Sequence, residues 1–146
     1  LDLAVNRINA AFCRNGWEDR FVTFVMLVLD PQRHEINIVN AGHMPPFLRR
    51  IDGRVISLAP DEPGLPLGVC DDYSYTMTSH KLESGDFVAI YTDGFSEANN
   101  AQKELYSIER LEQRIGMKTQ GVTEIGRSIL SDVRQFVGGT PQSDDM

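Results

Sequence analysis

The chain has 146 residues, enough for one domain with a real core. Hydrophobic residues make up 41% and charged residues 24%, ordinary values for a soluble globular protein. The net charge of −7 and a pI of about 4.9 argue against nucleic acid as the main partner, because no basic patch is available to neutralise phosphates. An acidic chain suits a hard cation instead, since Mg²⁺ and Mn²⁺ prefer carboxylate oxygens. The longest apolar run, Phe21 to Leu29, is too short to span a bilayer, and no signal peptide is visible. Cys13 and Cys70 stand in unrelated contexts with no CxxC partner, so both read as buried or incidental thiols in a cytoplasmic protein.

In chain order, Leu1, Ala4, Val5, Ile8, Ala11 and Phe12 repeat at helical spacing, and Asn15-Gly16 ends that helix. Phe21 to Leu29 is apolar on both faces and predicts a central strand covered on both sides. Asp30-Pro31 starts a turn into a second strand, Glu35 to Ala41, close enough to pair as a hairpin. Gly42-His43-Met44-Pro45-Pro46 is a sharp corner in which His43 reads as a structural hydrogen-bonder. Phe47 to Arg50 and Arg54 to Leu58 flank Asp52-Gly53, which predicts a type I′ hairpin.

Ala59 to Gly68 is loop, Tyr73 to Leu82 alternates as a strand, and Ser84-Gly85-Asp86 turns into a strand over Phe87 to Thr92. Ile108, Leu111 and Ile115 form one helical stripe. Val122, Ile125, Ile129, Val133 and Phe136 form another, with Thr119 or Thr123 as cap and Gly138-Gly139 as stop. One helix, about six strands with short turns and two closing helices predict an α+β fold with antiparallel sheet, without a domain boundary inside the chain. The sequence begins inside a helix without an initiator Met and stops after Asp144-Asp145-Met146, so a piece of a larger chain is expected.

Two acidic stations carry the chemistry. The run Val88-Ala89-Ile90-Tyr91-Thr92 ends in Asp93-Gly94, which places a carboxylate where the backbone leaves the core. Ser143-Asp144-Asp145-Met146 supplies a second station. Two stations far apart in sequence suggest a divalent-metal site assembled by folding. Each has a bland reading as well: a strand-ending turn at Asp93 and a solvated acidic tail at Asp144-Asp145. Neither a GxSxG, an HExxH nor a P-loop motif is present.

Six motifs in order give a family resemblance. Phe21-Val22-Thr23, Asn40-Ala41-Gly42-His43-Met44-Pro45-Pro46, Gly64-Leu65-Pro66-Leu67-Gly68-Val69, Leu82-Glu83-Ser84-Gly85-Asp86, Tyr91-Thr92-Asp93-Gly94-Phe95-Ser96-Glu97 and Asp144-Asp145-Met146 follow the order and spacing of the SpoIIE/RsbU-type serine phosphatases. These are the bacterial branch of the PP2C-like (PPM) metal-dependent phosphatases, and the resemblance covers essentially the whole chain. It implies an α-β-β-α sandwich of two antiparallel sheets flanked by helices. It also implies a two-metal Mn²⁺ or Mg²⁺ centre, and a phosphoserine or phosphothreonine substrate on a bacterial regulatory protein, often a STAS-type anti-anti-sigma factor.

Carried over by position, Asp93 and Asp144 match metal-binding catalytic aspartates of the family, while Asp145 falls at a position that varies. The family's two upstream acidic motifs, a GDxxD-like strand and a DVxGHG-like turn, have no counterpart here, and neither does its last strand. The resemblance therefore implies a partial phosphatase domain, inactive by itself, with an upstream sensory domain in the complete protein. A non-catalytic pseudophosphatase that binds a signalling partner is the alternative. Relatives carry a glycine near Ser107, another departure.

Overall fold

The computed structural model describes residues 1–14, 20–59, 64–117 and 121–141. The chain divides into two compact units that interleave in sequence: Leu1–Pro45 with Ala59–Glu83, and Pro46–Leu58 with Ser84–Met146. Each unit holds one antiparallel three-stranded sheet and its own helices, so the α+β class expected from the sequence is borne out.

The first unit contains α1 (Asp2–Arg14), β1 (Phe24–Asp30), β2 (Glu35–Ala41) and β5 (Thr78–Lys81), in sheet order β1-β2-β5. β1 and β2 pair from Phe24↔Ala41 to Asp30↔Glu35. Asp30 fixes their turn by accepting the backbone N–H groups of Gln32 and Arg33, both at 3.0 Å. The expectation of a central β1 is corrected: β2 is central, while Val28 and Leu29 on β1 are 46% and 59% exposed. An apolar run specifies burial in general and does not say which strand gains two neighbours.

Val5, Val39, Ala41, Leu67 and Tyr75 form the core of this unit. The buried face of α1 is also rotated from the expected stripe. Val5 and Asn9 are buried, whereas Ile8 is 37% exposed. The predicted strand over Tyr73 to Leu82 is paired only from Thr78, because Tyr73 and Tyr75 turn edge-on to each other and pack into this core instead.

The second unit contains β3 (Phe47–Arg49), β4 (Val55–Ser57), β6 (Phe87–Ala89), a short α2 (Asp93–Ser96), α3 (Ile108–Gly116) and α4 (Val122–Val137). Its sheet runs β4-β3-β6. The β3–β4 turn is not type I′. Gly53 has φ of 93° and Asp52 is not among the residues with positive φ, whereas type I′ needs both centres positive. Gly53 N–H donates to Arg50 O at 2.9 Å, and Arg50 N–H donates to Arg54 O at 2.8 Å. These bonds describe a type I turn closed by a left-handed glycine.

Asp86 locks this turn from outside. It accepts Arg50 Nη1 at 2.5 Å and Ile51 N–H at 3.2 Å, so the Ser84-Gly85-Asp86 motif has a structural task. Helix α4 begins at Val122 with Gly121 at its N-cap, so Thr123 lies inside the helix and is not the cap. Thr119 lies outside the described residues. Gly138, with φ of 63°, closes α4 as expected.

Ser107 precedes α3 with φ of 72° and ψ of 156°, a conformation that only glycine adopts without strain. The backbone there demands what a glycine supplies, so the serine in this chain is strained. Ser107→Gly should therefore raise stability by about 1 kcal/mol, part of the strain relief being offset by greater freedom of the unfolded chain. Chemical denaturation of the two proteins checks this, and a loss of stability would contradict it.

Candidate functional site

The backbone leaves the sheet after Ala89, three residues earlier than expected, and Asp93 opens the single turn of α2. Tyr91 is buried with its ring stacked on Phe47, centroids 5.3 Å apart, which pins the chain just before the acid. Gly94 and Ser96 are buried while Asp93 is exposed. The Asp93 carbonyl accepts Glu97 N–H at 2.8 Å and Ser96 Oγ at 3.1 Å. Its carboxylate makes no hydrogen bond or ion pair among the described residues, so an exposed charge stands on a backbone fixed from below.

The segment after α2 folds back on itself. Tyr106 N–H donates to Ala98 O at 2.8 Å and Ser107 N–H to Ser96 O at 2.9 Å. Asn100 closes the tip, its Oδ1 accepting the N–H groups of Gln102 and Glu104, both at 3.0 Å. The base of this hairpin is tied to α4. Tyr106, 1% exposed, donates its O–H to Asp132 Oδ2 at 2.6 Å. Arg110 Nε donates to the same oxygen at 3.1 Å, and Arg114 bonds the other carboxylate oxygen. The Arg110 guanidinium lies over the Tyr106 and Phe136 rings, 5.0 and 4.7 Å from their centroids.

Burial alone would raise the Asp132 pKa. The hydrogen bonds from Tyr106 and Arg110, with the charges of Arg110 and Arg114, outweigh it and hold the carboxyl below its ordinary range. Tyr106 is pushed up to about 12, first by burial and then by its bond to that carboxylate. Glu109 titrates low because the Ser107 hydroxyl bonds its charged form. A groove of ≈480 Å³ is lined by apolar residues including Phe95, Leu111, Ile125 and Ile129. Among the described residues its lining is apolar apart from the Tyr91 phenol, so it offers chiefly packing surface.

In the first unit, three of the sequence motifs converge. Val22 and Leu67 exchange backbone hydrogen bonds at 3.0 and 2.9 Å. Asn40 braces the corner in both directions, Oδ1 accepting His43 N–H at 2.8 Å and Nδ2 donating to His43 O at 2.9 Å. Gly42 has φ of 70°, and a Cβ there would lie 2.6 Å from Pro66 Cγ. The His43 ring meets Thr23 Oγ1 at 3.4 Å, in keeping with a structural role. Asn9 holds the next loop, accepting Gly68 N–H at 2.9 Å and donating to Cys70 O at 2.8 Å. Sequence reasoning passed over Asn9; a polar residue at a helix position four after buried Val5 is the signal that marks it. Both cysteines are free, and Cys70 is exposed, which leaves the incidental of the two readings for it.

Asp144 and Asp145 lie outside the described residues, so their relation to Asp93 is not drawn. Among the described residues, no group of three or more His, Cys, Asp or Glu side chains converges. A hard cation takes six or more oxygen ligands, and Asp93 supplies at most two. The described residues alone do not fit a divalent-metal centre.

The family model for Stage II sporulation protein E (SpoIIE) matches residues 1–146. The chain belongs to the SpoIIE family. Protein IcfG of Synechocystis is 28% identical over 126 residues, covering 86% of this chain and 20% of that protein. Phosphoserine phosphatase RsbU of Bacillus subtilis is 28% identical over 94 residues, covering 64% of this chain and 28% of RsbU. The chain thus spans less than a third of the length of these relatives. The solved PP2C phosphatase domain of SpoIIE from Bacillus subtilis superimposes with a TM-score of 0.77 at 21% identity, covering 94% of this chain and 40% of that one. A second structure of that phosphatase domain, presoaked with manganese, gives 0.69 at 19% identity and covers 100% of this chain and 63% of that one. The fold is therefore PP2C-like, as the motifs implied.

The Asp132 cluster generates a stability prediction with a defined sign. Its folded pKa is depressed, so its contribution is fully present above the unfolded value of about 3.9. That contribution is lost as pH falls through the folded value. Asp132→Asn should cost about 3 kcal/mol at neutral pH, since two arginines lose their carboxylate, and should flatten the acid limb of the stability curve. Denaturant titrations from pH 7 to pH 2 check this, and an unchanged acid limb would contradict it.

Proposed function

We propose that this chain is part of a metal-dependent phosphatase domain that hydrolyses phosphoserine or phosphothreonine on a bacterial regulatory protein, a STAS-type anti-anti-sigma factor being the leading candidate. The observation that carries the reading is the whole-length SpoIIE match together with the place of Asp93. The motif acid is exposed, on a turn whose backbone is held by buried partners. The name of RsbU as a phosphoserine phosphatase supports the substrate class, and a manganese-soaked relative supports Mn²⁺ or Mg²⁺ as the cofactor.

In this reading Asp93 and Asp144 are metal ligands of the catalytic centre, and further acidic ligands come from elsewhere in the complete protein. Residues 1–146 form one partial phosphatase domain in this account, with little turnover by themselves. The complete protein acts in cytoplasmic signalling, with a sensory domain upstream. No helix among the described residues is long and apolar enough to cross a membrane. A second reading is a pseudophosphatase that binds its partner without catalysis, which substitution of the upstream acidic motifs in the complete protein would favour.

Asp93→Asn separates the two. In the complete protein it should reduce Mn²⁺-dependent release of phosphate from a phosphoserine protein to background, while the thermal midpoint stays within a few degrees of the parent. Normal turnover in the variant would remove Asp93 from the catalytic centre. No turnover in the parent protein at any Mn²⁺ concentration would favour the binding module.

A further inference from the structure

We infer that Tyr106 and Asp132 are positioning residues for Asp93, holding it through the base of the hairpin between α2 and α3. The inference rests on the reading of Asp93 as a catalytic acid. Neither side chain is at the acid itself, and their influence passes through backbone hydrogen bonds.

The argument starts from the weakness of α2. A four-residue helix has no stability of its own, because the cost of ordering its first turn is not recovered within its length. Its geometry must come from what it is tied to. Its last residue, Ser96, is bonded twice: Oγ donates to the Asp93 carbonyl at 3.1 Å, and its own carbonyl accepts Ser107 N–H at 2.9 Å. Two residues on, Ala98 O accepts Tyr106 N–H at 2.8 Å. The chain leaving the acid is therefore clasped by the chain returning from the hairpin.

Tyr106 fixes the returning strand. Leu105 beside it is 57% exposed and gives no anchorage, whereas the Tyr106 ring is buried edge-on against Phe136, centroids 5.5 Å apart. Its O–H ends on Asp132, which the two α3 arginines also bind. One carboxylate on α4 thus joins the hairpin and α3. Three hydrogen bonds in sequence run from it toward the acid: Tyr106 O–H to Asp132, Ser107 N–H to Ser96 O, and Ser96 Oγ to Asp93 O. The Glu97 N–H bond to Asp93 O at 2.8 Å lies in the same clasp. Loosening the far end frees the turn that sets where the Asp93 carboxylate points, and small misplacement of a reacting group is costly to rate.

The test uses the complete protein with Tyr106→Phe, which keeps the buried ring and removes only the O–H. Hydrogen exchange should rise about tenfold across residues 93–107 and remain unchanged in β2. With p-nitrophenyl phosphate as probe, kcat should fall about tenfold while KM stays within about twofold. Ile38→Ala in β2 serves as a destabilised control. It should lower the thermal midpoint by at least as much as Tyr106→Phe and leave kcat unchanged. Unchanged exchange across residues 93–107 would overturn the inference, as would an equal fall in kcat in the control. Absence of turnover in the parent protein would instead count against the phosphatase reading, and the exchange measurement would still decide whether the clasp exists.

Discussion

A carboxylate withdrawn from water is stable only where donors replace the water, and in the second unit Asp132 is that carboxylate. It is 6% exposed and is met by a phenol and two guanidiniums, from Tyr106, Arg110 and Arg114. The donors come from the hairpin base and from α3, and the acceptor from α4. The demand of one buried charge therefore sets how three segments meet. The exposed Asp93 stands on the short helix that enters the same hairpin base. Its neighbours are ordered so that it need not be: Tyr91 stacked, Gly94 and Ser96 buried, the carbonyl doubly bonded. A charged group available to a ligand on a backbone already fixed is what a preorganised site requires.

The first unit solves its equivalent problem with neutral groups. Beyond the Val22–Leu67 exchange, loops 42–46 and 64–75 have little regular pairing, so their backbone groups need other partners. Asn40 supplies them at the corner, and Asn9 and Asn6 supply them from α1, Asn6 accepting Tyr75 N–H at 2.9 Å. The Gly42 approach to Pro66 explains why the corner sequence and the Pro/Gly-rich loop occur together. These motifs are family hallmarks by resemblance, yet what they do here is hold loops in place.

Much of this was legible in the sequence. Strand β2, the β1–β2 hairpin, helices α3 and α4 and the α+β class follow from periodicity and turn residues. The chain's membership in the SpoIIE family follows from six short motifs in order. What escaped is instructive. The central place assigned to β1 failed because hydrophobicity does not encode neighbours. The strands over Tyr73 to Leu82 and Phe87 to Thr92 were drawn too long, because aromatic side chains that suit a strand also suit a loop folded onto a core. The type I′ turn failed because Asp-Gly serves a type I turn with a left-handed third residue equally well. Asp132 and Asn9 were invisible as polar residues on amphipathic helices, where a solvated position is the ordinary expectation. Of the two candidate site residues, Asp93 is placed, exposed and rigidly backed, while Asp144 lies outside the described residues.

The central claim is that Asp93 binds a catalytic cation in the complete protein. Anomalous diffraction from crystals of that protein soaked in Mn²⁺ tests it most directly. The account predicts a manganese peak about 2.1 Å from an Asp93 carboxylate oxygen, with Asp144 as a second ligand. Manganese bound elsewhere, with the Asp93 carboxylate left in solvent, would contradict it.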